Sequence, residues 1–111
     1  MTGQMTLDLQ RREDALDRAF RAFDEENPHV RHELVRLTRE LVAAGARRVG
    51  MKMLFEVLRW SHLRTTGSEF RLNNNLTARY ARSIMREHPD LDGVYETREL
   101  RPPVPRPLVA P

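Results

Sequence analysis

LTARYARSIMRE, residues 76–87, shows two faces at helical spacing. Leu76, Tyr80 and Ile84 recur at every fourth position, the spacing of one buried helical face. Arg79, Arg82 and Arg86 fall between them, so the helix reads as core on one side and guanidinium on the other. Three asparagines, Asn73, Asn74 and Asn75, stand directly before it. Asn75, helped by Asn74, is the expected cap for the free amides of the first turn. His88-Pro89 closes the helix, because the residue before a proline disfavours helical geometry.

Working upstream, Met53, Leu54, Phe55, Val57, Leu58, Trp60 and Leu63 make residues 52–63 a helix that is apolar on nearly every side. A helix of that kind calls for protein all around it, which predicts a central element with Trp60 packed in the core. Between it and the 76–87 helix lie about eleven residues, turned by Gly67 and pinned by Phe70 and Leu72. Val30, Leu34, Leu37 and Leu41 give residues 28–44 one narrow stripe, with Pro28 in the first turn, Asn27 as cap and Gly45 as terminator. Leu16, Ala19, Phe20 and Phe23 predict an earlier amphipathic helix over 7–24. Residues 46–50 are too few for a helix and read as a small strand. Residues 93–100, GVYETREL, have the β-branched and aromatic content of another.

The fold expected is therefore mainly α: four helices with a helix-turn-helix or winged-helix-like core. A short two-stranded ribbon would pair 46–50 with 93–100. A simple four-helix arrangement competes with it, because a connection of about eleven residues exceeds the usual turn of three or four. Residues 1–27 form the N-terminal helix, 28–100 the core. Residues 101–111, RPPVPRPLVAP, form a proline-rich tail that composition predicts to be disordered.

Charge placement says more than the net +3. Residues 45–88 hold nine basic and three acidic side chains, a net of +6, whereas 1–44 come to −2 and 89–111 to −1. A basic block inside a near-neutral protein is the usual footprint of a polyanion-binding surface. Eighteen of the 19 basic residues are arginine, which a GC-rich genome explains and which also suits phosphates and base edges. In the winged layout the 76–87 helix enters the major groove. Arg79, Arg82 and Arg86, with Asn73, Asn74, Asn75 and Thr77, then form the reading face. Arg47, Arg48, Lys52 and Arg71 supply phosphate contacts, and the helix start offers its amides to a further phosphate. Arg98 and Arg101 fall on or beyond the wing. The partner expected is double-stranded DNA. Residues 7–24 are the candidate homodimer contact, since one short helix reads too few base pairs alone. The competing role is an adaptor or inhibitor whose arginine face meets an acidic protein.

Four segments carry a resemblance: NPHV (27–30), RRVGMKMLFEVLRW (47–60), FRLNNNLTARYARSIM (70–85) and HPDLDGVYETREL (88–100). Together they resemble a family of small proteins encoded by phages, prophages and their bacterial hosts, over roughly residues 20–100. Leu72-Asn73-Asn74-Asn75, Tyr80-Ala81-Arg82, Met85, Pro89 and Glu96-x-Arg98 all fall in place, and Tyr95 stands where phenylalanine is expected. The resemblance implies a genetic setting and no chemistry. That setting suits both a DNA partner and a host-protein partner.

Catalytic chemistry is not expected. His29-x-x-His32 with Glu33 lacks a further ligand for a metal, and Ser61-His62 are sequence neighbours without triad spacing. No phosphate-cradling glycine loop or paired carboxylates stand out, so no cofactor, metal or enzymatic role is assigned. The absence of cysteine, of a membrane-length apolar run and of a signal-like start points to the cytoplasm, with no membrane partner.

Overall fold

The computed structural model describes residues 2–67 and 71–95, with side chains from Thr6 onward. The chain is mainly helical: α1 (Thr2–Glu26), α2 (Pro28–Ala43), α3 (Met51–Thr66) and α4 (Thr77–Glu87). Single 3-10 turns, Asn74–Leu76 and Pro89–Leu91, flank α4. All four expected helices are present, and α1 and α3 run longer than their apolar patterns. Phe70, the wing arginines Arg98 and Arg101, residues 96–100 and the proline-rich tail lie outside the described residues.

Local chemistry accounts for the breaks between helices. Pro28 opens α2, where a missing N–H costs nothing. Asn27 departs from its expected role: its side chain makes no cap bond to α2. Instead its Nδ2 donates to the Phe23 carbonyl at 3.0 Å and its backbone N–H to the same oxygen at 2.9 Å, which seals the end of α1. Gly45 takes a φ of +106°, so the Gly45 and Ala46 amides can turn back onto Val42 and Leu41.

The core forms around Tyr80, which is fully buried. Its ring meets Phe20 of α1 edge-on at 4.8 Å, Phe55 of α3 at 6.0 Å and Phe23 at 6.4 Å. Edge-to-face contacts of this kind add roughly 0.5–1.5 kcal/mol each beyond the area they bury. Leu34, Leu54, Leu76 and Ile84 are among the buried residues packed with it. Phe20 and Phe23 are thereby committed to their own domain, while residues 6–15 of α1 stay exposed.

The expected ribbon is reduced here to an isolated parallel bridge, Val49 to Tyr95, with Val49 N–H donating to the Val94 carbonyl at 2.9 Å. No strand occurs among the described residues. Among the described residues, 44–50 turn the chain from α2 to α3 and Asp92-Gly93 turn it again just before Tyr95. Tyr95 is also more than a packing group. Thr38 donates its hydroxyl proton to the Leu34 carbonyl at 2.7 Å, so the Tyr95 hydroxyl, 2.6 Å away, must donate to Thr38.

Helix α3 departs furthest from expectation. It buries Met51, Leu54 and Phe55, but Met53, Val57, Leu63 and Trp60 face outward. Trp60 is 61% exposed. The other helices cover one side of α3, and no described element covers the opposite side.

Candidate nucleic-acid interface

Helix α4 is positioned by the stripe the sequence marks: Leu76, Tyr80 and Ile84 are each at most 5% exposed. With about 100° of turn per residue, the opposite side carries Ala78, Arg82 and Arg86 in line, with exposed Asn75 just before them. Arg82 and Arg86 are exposed as expected.

Arg79 is not a reading residue in this structure. It is 8% exposed and sits between the core stripe and α1. Its Nη2 donates to Glu13 Oε2 at 2.7 Å and its Nε to Asp17 Oδ1 at 2.9 Å. Glu13 and Asp17 are four residues apart, so both carboxylates face α4 from one side of α1. The acidic residues of the first helix therefore hold one arginine of the supposed reading face. Arg82, Ser83 and Arg86 border the same α1–α4 cleft, with Asp17 and Asp24 on its other wall.

Arg31, which sequence reasoning overlooked, ties this cleft together. Its Nη2 donates to Asp24 Oδ2 at 2.9 Å and to Ser83 Oγ at 2.6 Å, and Nη1 lies 3.5 Å from Glu87. The guanidinium also stands 5.8 Å from the Tyr80 ring centre. Burial, with the Asp24 carboxylate close by, pushes the Tyr80 phenol well above its ordinary pKa of 10. Seven positions separate Asp24 from Arg31 across a helix break, a pairing no helical periodicity announces.

The triple asparagine divides its labour. No asparagine side chain caps α4 itself; Asn73 caps the 3-10 turn before it, its Oδ1 accepting the Asn75 backbone N–H at 2.9 Å. Asn74 Oδ1 accepts from Arg59 Nη2 at 2.6 Å, and the Asn74 carbonyl accepts the Thr77 hydroxyl at 2.9 Å. The amides of Asn75, Leu76 and Thr77 all find acceptors within the segment. Those three amides are therefore not available to a phosphate.

The predicted contacts fall into separate groups. Arg82 and Arg86 lie together on α4. Arg71 and Asn73 instead share a cleft with Arg59, Trp60 and Leu63 of α3. Arg47, Arg48 and Lys52 are exposed around the α2–α3 connection. Arg59 is the second group sequence reasoning missed. Its guanidinium donates to the Leu72 carbonyl, to Asn74 and to Glu56 Oε1 at 2.5 Å, which pins the 71–74 segment to α3. The signal was an arginine set among Val57, Leu58, Trp60 and Leu63 in the middle of the helix.

Among the described residues no group of three histidines or carboxylates is placed to hold a metal ion. No helix among them is long and apolar enough to cross a membrane. No family model, no curated protein and no solved structure matches the chain.

Proposed function

We propose that this chain is a small, non-enzymatic duplex-DNA-binding protein with a helix-turn-helix-like core, serving as a phage-related regulator. Helix α4 would enter the major groove with Arg82 and Arg86 outward and Asn75 at its leading end. The observation that carries the reading is this stripe: two exposed guanidinium groups on a helix fixed rigidly from behind by Leu76, Tyr80 and Ile84. Arginine forks read guanine edges and bridge phosphates, and a fixed backbone aims them. Arg47, Arg48 and Lys52 would add phosphate contacts from the basic block. A winged layout would extend pairing outward from the Val49–Tyr95 bridge. The resemblance to phage and prophage proteins is compatible with this setting and equally with a host-protein partner.

One observation favours a second reading. The cationic side of α4 already accepts two carboxylates of a helix, Glu13 and Asp17. An acidic helix of a host protein is therefore a chemically reasonable partner for Arg82 and Arg86, which suits an adaptor or inhibitor.

Duplex binding by the wild type and by Arg82→Ala/Arg86→Ala separates the two. Loss of binding in the folded double variant supports the first reading. Equal binding by both proteins removes α4 as the reading helix.

A further inference from the structure

We propose that the open cleft between α3 and residues 71–74, about 640 Å³ in volume, is a binding site for single-stranded nucleic acid, with a base stacked on Trp60. The inference does not rest on duplex recognition by α4, because the two sites share no residue.

The indole is 61% exposed, and Arg64 holds its guanidinium 5.1 Å from the ring centre. With Arg64 over one face, the exposed indole can, among the described residues, take a second flat group on the other. Leu63, 47% exposed, supplies an apolar wall beside it. The polar inventory then decides the ligand class. Asn73 and Asn74 use their side-chain oxygens within the protein, for the cap and for Arg59, so each presents an NH2 donor. Arg64 and Arg71 are exposed and donate without accepting. Among the described residues the one acid lining the cleft, Glu56, is paired with Arg59. A ligand here must be flat, rich in acceptors and negatively charged. Bases joined by phosphates fit all of these, and stacking with backbone-tracking cations is how single strands are bound. An apolar protein helix would cover Met53, Val57 and Leu63 but leave the donors of Arg71, Asn73 and Asn74 without acceptors.

Trp60 is the sole tryptophan of the chain, so its fluorescence reports on this cleft directly. The full chain is titrated with an oligothymidylate of about 12 nucleotides at 50 and 200 mM salt. The proposal expects saturable quenching, with affinity falling about sevenfold between the two salts for two phosphate contacts. By anisotropy of labelled oligonucleotide, Trp60→Ala should lose roughly 5- to 150-fold, and Trp60→Phe should recover part of it. Arg82→Ala/Arg86→Ala should bind the single strand as the wild type does, whatever happens to its duplex binding. Absence of quenching at 50 mM, or quenching abolished by the α4 double variant, overturns the proposal. So does a blue shift of Trp60 that tracks protein concentration without nucleic acid, which would assign the face to a second copy of the chain.

Discussion

Replacing Arg79 by alanine distinguishes a clamp from a reading residue. The guanidinium is 8% exposed and makes two charge-assisted hydrogen bonds to carboxylates that are themselves 51% and 54% exposed. Hydrogen bonds to charged groups are worth about 1.5–3 kcal/mol each, and half-exposed partners place these near the lower end. In the variant, Glu13 and Asp17 recover water, so little of the loss comes from stranded charge. Lost packing of the arginine stem on α1 adds to it. The net expectation is a destabilisation of about 2–3 kcal/mol, which for a domain near this size lowers Tm by roughly 8–15 °C. Thermal unfolding followed by circular dichroism, with Glu13→Gln/Asp17→Asn and the combined variant, closes a double-mutant cycle. A coupling of about 1–2 kcal/mol is expected between the arginine and the acid pair. A Tm change under about 2 °C, with coupling near zero, would refute the clamp. Arg79 would then return to the solvent face as a base or phosphate contact.

Alkaline pH should destabilise the fold through both tyrosines. Burial raises the Tyr80 and Tyr95 phenols above the ordinary value of 10, so the folded state keeps protons that the unfolded state has released. Their contribution is complete below pH about 10 and is lost as pH rises through the folded values. Phenolate absorbance should therefore appear together with unfolding, and free titration at ordinary pH in a folded protein would contradict it. Thr38→Val removes the acceptor of the Tyr95 hydroxyl and should cost about 1–3 kcal/mol in denaturant unfolding. A cost near zero would mean the buried pair is replaced by water. Asn73→Ala should cost about 1 kcal/mol through loss of the cap, whereas Asn73→Asp should preserve stability. Equal stability of all three proteins would place the cap elsewhere.

Helix positions were legible because apolar spacing and punctuation agreed: Leu76, Tyr80 and Ile84 for α4, Pro28 and Gly45 for α2. What periodicity left open was the direction each face takes once four helices pack. Arg79 lies only about 100° from Tyr80, close enough for α1 to cover it, and nothing local signals that Glu13 and Asp17 arrive there. Trp60 misleads for the converse reason. A helix apolar on nearly every side asks for cover all round, but the described elements supply it on one. The asparagines announced a cap, yet which of them caps depends on the 3-10 turn over Asn74–Leu76 and on Arg59 drawing Asn74 away. Arg31 and Arg59 bind across helix breaks and loops, where sequence spacing has no period to read.

Duplex recognition by α4 should show in the salt dependence of DNA binding, measured by fluorescence anisotropy at about 50 and 200 mM salt. Five phosphate contacts predict a loss of roughly 500-fold between the two, and Arg82→Ala/Arg86→Ala, checked as folded, should bind far more weakly with a shallower salt slope. Undetectable binding at 50 mM, or an unchanged slope and affinity in the double variant, would contradict DNA recognition by α4.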